Sequence, residues 1–179
     1  LFHKISDTKA YLSEQKKKGL QIGFVPTMGA LHKGHLTLLE KAKKENDLCV
    51  CSIFVNPIQF NNAADLTRYP RPLEKDILFL NSIGCDVLFQ PSVEEMYPEP
   101  NKIIYDLNGL DKTMEGAFRP GHFNGVAVVV KKLFDIMEPN RAYFGEKDFQ
   151  QLAIIKYLVK VLRLPIQIIP VATIRESDG

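Results

Sequence analysis

From Leu36 onward the apolar positions recur at helical spacing, Leu36, Leu38, Leu39 and Ala42, while Lys41, Lys43, Lys44 and Glu45 fill the opposite face. Such a stripe predicts an amphipathic helix from His35 to about Asn46. The runs on either side follow a different rule. "LQIGFVP" (20–26) and "DLCVCSIFV" (47–55) are nearly continuous apolar runs, as expected of strands covered on both faces of a parallel sheet. Pro26, which lacks an N–H, is expected to close the first of them.

The alternation extends along the chain. A first helix is expected up to Lys18, capped by Ser6 or Asp7, with Tyr11 and Leu12 inward and Gly19 as its stop. "NPIQFNNAADLTRYPRP" breaks all periodicity and reads as a loop; Leu73 to Ile83 resumes as a helix before Gly84, and "CDVLFQP" is a third strand. Residues 91 to 124 are irregular, with a short strand expected at Lys102 to Tyr105. Val126 to Met137 reads as a helix on the stripe Val126, Val129, Val130, Leu133 and Phe134. "RAYFG" is a fourth strand, "EKDFQQLAIIKYLVKVL" a helix from Glu146, and "PIQIIPVATI" the last strand.

Strands and helices in this order predict an α/β fold with a doubly wound parallel sheet, spanning residues 1–179 as one domain. In such sheets ligands sit at the carboxyl ends of the strands, near the switch in strand order. The loops after Val25, Val55, Gln90 and Phe144 are therefore expected to share one edge.

Composition narrows the possibilities. Twenty-three Lys and Arg face 21 Asp and Glu, a net charge of +2, so no general attraction to nucleic acid or to an anionic membrane is implied. Any anion chemistry must be local. Cys49, Cys51 and Cys85 are odd in number and lie in or beside apolar runs, which suits reduced thiols of a cytoplasmic protein. No apolar run is long enough to span a bilayer, and "LFHKISDTKAYL" lacks the order of a signal peptide. The absence of an initial Met leads us to expect that a few residues precede Leu1.

The chemistry concentrates in "VPTMGALHKGH", where two of the four histidines stand three residues apart. Gly29 and Gly34 allow close approach of backbone to a ligand, and the helix beginning near His35 directs unpaired amides at the loop. An anion, most naturally a phosphate, is favoured there. His32 and His35 at i and i+3 share a face and can donate to one polyphosphate; exposure without function, or a metal site, are the competing readings of the pair. Neither a P-loop nor a G-x-G-x-x-G fingerprint occurs, and no neighbouring Cys or carboxylate completes a tetrahedral metal set.

"FGEKDFQQ" repeats the logic at the fourth strand. Gly145 ends the strand, Lys147 can neutralise phosphate charge, and Asp148 can accept from ribose hydroxyls or cap its helix. Asn56 and Gln59, after the second strand, are expected to project into the same crevice, where amides suit hydroxyl and carboxylate recognition. Arg119 and His122 either approach the phosphates or lie on the surface.

In this order, "PTMGALHKGH", "FVNPIQF", "DLTRYPRP", "RPGHFNGV", "FGEKDFQQ" and "TIRESDG" resemble the amino-terminal domain of the pantothenate synthetase (pantoate–β-alanine ligase) family. His-x-Gly-His alone fixes only the wider group of Rossmann-like nucleotidyltransferases and class I aminoacyl-tRNA synthetases. The resemblance implies ATP-dependent condensation of (R)-pantoate with β-alanine to pantothenate through pantoyl adenylate, with Mg²⁺ accompanying ATP, in a cytoplasmic homodimer. It places ATP against Pro26, Thr27, Met28, Gly29, Ala30, Leu31, His32, Lys33, Gly34, His35, Gly145, Glu146, Lys147, Asp148 and Ile174. His35, His32 and Lys147 become the catalytic residues. Gln59 and Gln151 would hold pantoate, and Gln59 with Asn56 would receive β-alanine. Asp76 is left out of the site.

Family members continue beyond "RESDG" with a Ser-Ser-Arg-Asn-like segment and a smaller carboxyl-terminal lid domain, so that domain is expected to be absent here. These residues alone are then expected to bind substrates but to turn over slowly or not at all. Two other readings stay open: a nucleotidyltransferase acting on a phosphorylated acceptor, and a nucleotide-binding or dimerising module without chemistry.

Overall fold

The protein is described by a computed structural model covering residues 1–175; Glu176 to Gly179, the end of the "TIRESDG" segment, lie outside the described residues. Five parallel strands, β1 (Ile22–Thr27), β2 (Leu48–Ile53), β3 (Val87–Phe89), β4 (Arg141–Gly145) and β5 (Gln167–Val171), stand in the order β3-β2-β1-β4-β5. The eight helices assigned among the described residues are α1 (Ile5–Lys17), α2 (Lys33–Glu45), α3 (Ala63–Arg68), α4 (Leu73–Ser82), α5 (Val93–Met96), α6 (Met114–Phe118), α7 (His122–Met137) and α8 (Phe149–Val161). This is the doubly wound α/β architecture expected from the alternation.

Alternate side chains of each strand enter opposite layers. Phe24, Val50, Phe89 and Phe144 join α1, α7 and α8 in one core, whereas Val25, Cys51, Leu88 and Tyr143 meet α2 and α4 in the other. Covering both faces explains why the strands read as continuous apolar runs. The outer edge of β3 is covered as well: Phe2 N–H donates to Leu88 O and Gln90 N–H to Phe2 O, each at 2.8 Å.

The order reverses between β1 and β4, the topological switch of the sheet. β1 pairs with β4 only at Gly23 and Phe24, while it pairs with β2 along its whole length to Thr27. Beyond Phe24 the two central strands therefore part, and a crevice opens between the loops that leave them.

Several expectations are corrected. Pro26 does not end β1, which runs on to Thr27; its missing N–H is tolerated because this stretch has no ladder partner on the β4 side. α2 begins at Lys33, before His35, because the His32 side chain caps it. α1 has Lys4 at its N-cap with no side-chain cap, so neither Ser6 nor Asp7 serves. The aperiodic stretch after β2 holds a 3₁₀ turn (Pro57–Gln59) and α3, whose Ala64 N–H is accepted by Asn62 at 2.8 Å.

The strand expected at Lys102 to Tyr105 is absent. Asn124 takes the place of a neighbouring strand, accepting from Tyr105 N–H at 2.9 Å and donating to Ile103 O at 3.1 Å. α7 starts at His122, four residues before Val126, and α8 starts at Phe149 after a 3₁₀ turn over Glu146–Asp148.

Candidate active site

The histidine loop is built from its backbone outward. Thr27 Oγ1 donates to Ser52 O at 2.8 Å and accepts from Gly29 N–H at 3.1 Å, so this hydroxyl holds the loop rather than facing a ligand. Gly29 and Ala30 follow with φ of 82° and 51°, two successive left-handed residues that turn the chain back over the sheet. Asp76, 1% exposed in the first turns of α4, receives the next two amides: Ala30 N–H at 2.9 Å and Leu31 N–H at 2.7 Å. Leu31 is then buried against α2 and α4, which anchors the loop at its far end.

The two histidines cap the helix reciprocally. His32 Nδ1 accepts from Gly34 N–H at 3.1 Å, and His35 Nδ1 accepts from His32 N–H at 3.4 Å. An accepting Nδ1 carries no proton, so the neutral form of each ring holds its proton on Nε2. The rings lie 4.1 Å apart between centroids, tilted by 41°, on one face as their spacing requires. Burial, followed by the neighbouring His32 and the Lys147 ammonium, holds the His35 imidazole down at about 4. At neutral pH His35 is therefore an uncharged Nε2–H donor.

Two of the compartments that open at this edge meet at His35. One is a cleft of about 940 Å³ bordered by Leu31 to His35, by Gly145 to Asp148 and by Val171 to Arg175. Lys33, Glu146 and Lys147 border it, as does Ile174, 52% exposed. Asp148 occupies the N-cap of α8 without a side-chain capping bond, which leaves its carboxylate out of the helix cap. Lys75 and Phe79 of α4 also border the cleft, the Lys75 Nζ 5.6 Å from the Phe79 ring centroid.

The second compartment is a smaller cavity of about 170 Å³ between Met28, Phe54 and the apolar face of α7, with Gln59, Tyr69 and Gln151 at its polar points. Pro26, Thr27 and Met28 face this cavity rather than the larger cleft. His35, Leu38, Gly145 and Asp148 border both compartments. Gln59 is held from several sides: Asn56 Nδ2 donates to its Oε1 at 3.1 Å, its Nε2 lies 2.9 Å from Met28 Sδ, and its backbone O is bonded to His122 Nδ1 at 2.8 Å.

Asn56 does not project into the crevice beside Gln59. It is fully buried, donating to Gly125 O as well as to Gln59, and accepting from Tyr97 O–H at 2.9 Å. His122 is likewise buried under Gln59, with its imidazole shifted down by that burial, and Arg119 pairs with Glu115. Asp76, left out of the site on the sequence, belongs to it as the anchor of the loop, and the sequence carries a signal for that: a carboxylate on the apolar stripe Leu73, Ile77 and Leu80 of α4, where burial calls for a partner.

A sheet with a crevice at the β1/β4 switch, and a histidine loop bordering that crevice, define a Rossmann-like α/β domain with a His-x-Gly-His loop. The pantoate-beta-alanine ligase family model matches residues 1–179, and the chain belongs to that family. It is 54% identical over 179 residues to pantothenate synthetase of Allorhizobium ampelinum and 51% identical over the same length to that of Aquifex aeolicus, covering 100% of this chain in each case. It spans 62% and 64% of those relatives. Pantothenate synthetase of Thermus thermophilus superposes with a TM-score of 0.92 at 47% identity, over 99% of this chain and 63% of that one. Pantoate-beta-alanine ligase of Francisella tularensis, complexed with beta-gamma ATP and beta-alanine, gives 0.94 at 46% identity, over 99% and 68%.

Proposed function

We propose that residues 1–179 form the amino-terminal ATP- and pantoate-binding domain of an enzyme that condenses (R)-pantoate with β-alanine, using ATP, to give pantothenate for coenzyme A synthesis. The observation that carries this reading is the position of His35 in the wall shared by the large cleft and the small cavity. A group there can act on a reaction between two substrates bound on either side.

ATP occupies the large cleft in this proposal, with its adenine near Ile174, its ribose near Gly145 and Asp148, and its phosphates over the amino end of α2, His32, His35 and Lys147. That the Francisella relative is complexed with beta-gamma ATP and beta-alanine supports ATP as the nucleotide. Pantoate, a small carboxylate with two hydroxyls and a gem-dimethyl carbon, suits a cavity walled by Val126, Val129, Val130, Leu133 and Phe54 and pointed with two glutamine amides.

A pantoate carboxylate oxygen then attacks the α-phosphorus; that P–O bond forms as the bond to the β-phosphate bridge breaks, and pyrophosphate leaves. Charge grows on the leaving phosphates, where neutral His35 Nε2–H, His32, Lys147 and the helix amides meet it. Because the attacking carboxylate is already ionised, His35 is assigned as a hydrogen-bond donor and not as an acid. In the second step the neutral β-alanine amine attacks the acyl carbon beside Gln59, AMP departs with the C–O electron pair, and the proton lost by the amine passes to solvent. Asn56 acts in this scheme through Gln59.

Mg²⁺ enters on the ATP phosphates as part of the substrate. Both Asp76 oxygens are taken by loop amides, so orientation of the loop is the role its geometry supports. The proposal includes a cytoplasmic homodimer, as the family resemblance implies; no helix among the described residues is long and apolar enough to cross a membrane. Pantoate-dependent exchange of pyrophosphate into ATP by the full-length enzyme, of which these residues are the amino-terminal domain, tests the reading. Exchange is expected, and it should be lost in a His35→Ala, Lys147→Ala double variant; exchange that ignores pantoate, or survives both substitutions, overturns it.

A further inference from the structure

The amide of Gln59 borders the small cavity, but what it offers a ligand is decided elsewhere. A carbonyl oxygen can only accept, so Gly125 O, 3.1 Å from Asn56 Nδ2, fixes which way the Asn56 amide is turned. Oδ1 of Asn56 then points to Tyr97, whose hydroxyl donates to it at 2.9 Å. The second Nδ2 proton goes to Gln59, which must present an acceptor, Oε1, at 3.1 Å. Only the Nε2 end of Gln59 is left to turn toward the cavity, on the side of Met28.

We infer that Tyr97 is a positioning residue for the acyl-substrate site: with Gly125 O setting the sense of the Asn56 amide, the Tyr97 hydroxyl holds its Oδ1 end in place, so that Gln59 presents N–H to the cavity and selects hydrogen-bond acceptors such as a carboxylate. This inference rests on the pantoate assignment of the cavity. Tyr97 itself borders a separate surface pocket on the far side of Asn56, with Pro98, Lys131 and Lys132, and does not line the substrate cavity. Its hydroxyl is suited to the task, because burial pushes the phenol above its ordinary range and keeps the proton on.

The relay is also rigid. Asn56 is 0% exposed, and the 3₁₀ turn that carries Gln59 packs against α7 where Gly125 has no side chain. A flipped Asn56 would set its Oδ1 against the Gly125 carbonyl and the Gln59 oxygen, leaving buried acceptors facing one another.

The test uses Tyr97→Phe, Asn56→Asp and Gln59→Ala in the full-length enzyme, with pantoate and ATP varied separately. Tyr97→Phe keeps the ring contacts to Phe54 and Lys132, so it removes the hydroxyl and little else. The expected result is a rise of about tenfold in the pantoate KM, with the ATP KM changed less than about twofold and the melting temperature nearly kept. Asn56→Asp, which cannot donate to Gln59 and turns its amide around, should raise the pantoate KM further, by about a hundredfold. If Gln59→Ala raises the pantoate KM but Tyr97→Phe and Asn56→Asp leave it alone, or shift both Michaelis constants equally, the inference is overturned while the site assignment stands. If Gln59→Ala leaves the pantoate KM unchanged, the assignment of the cavity fails and takes the inference with it.

Discussion

The carboxylate of Asp76 receives the backbone N–H of Leu31 at 2.7 Å, and through its other oxygen that of Ala30 at 2.9 Å, so α4 holds the histidine loop by its main chain. Charge-assisted bonds in a buried setting are among the stronger ones, and each asks for an acceptor. Asp76→Asn replaces one acceptor with an N–H₂ that faces another donor. We predict a loss of about 2–3 kcal/mol in stability and a drop of at least about tenfold in pantoate-dependent exchange. Thermal melting and exchange rates check this; a lowered melting temperature with full exchange would show that the loop does not need the anchor.

The sequence announced the edge of the sheet because each candidate loop there directly follows an apolar run. Val25 to His35 and Phe144 to Asp148 stand out as glycine, histidine and charge at the ends of strands, and the parallel sheet brings both to the β1/β4 switch. Asn56 reads wrongly for the opposite reason. A polar residue after a strand looks ligand-facing in one dimension, and only packing against Tyr97 and Gly125 shows Asn56 to be interior. The missing strand at Lys102 to Tyr105 has the same origin: Asn124, nineteen residues beyond Tyr105, satisfies a backbone that local propensity would have paired with a strand.

Gly125 is predicted to tolerate no side chain. A Cβ there would lie 2.5 Å from Ile58 O and 2.7 Å from Gln59 Cα, both main chain, so α7 and the 3₁₀ turn would have to separate. Gly125→Ala should cost about 1–3 kcal/mol as an overpacking change. Because the displaced segment carries Gln59, the pantoate KM should rise more than the ATP KM; an equal effect on both would locate the damage outside the small cavity.

The depressed His35 makes stability pH-dependent in a defined window. Its folded value is about 4 against an ordinary 6.5, so the unfolded chain binds the proton more tightly. Stability from this group is complete above 6.5 and is lost as pH falls from there toward 4. Without nucleotide, the melting temperature is expected to decline across that interval, and His35→Gln should flatten the decline. A variant with an unchanged acid limb would mean that other groups set it.

Lys147 offers the complementary measurement. Its side chain is exposed, so Lys147→Ala should change stability by no more than about 0.5 kcal/mol. Its ammonium is one of the groups that keep His35 neutral, the third after burial and His32, so removing it should move the His35 titration upward by a modest amount, visible in the imidazole resonances. The same substitution removes a cation from the side of the cleft proposed to hold the phosphates, and pantoate-dependent exchange is expected to fall by about a hundredfold. The two readouts separate the roles of the residue. A shifted His35 with normal exchange would make Lys147 only a neighbour of the imidazole, whereas lost exchange without the shift would place its charge on the phosphates alone.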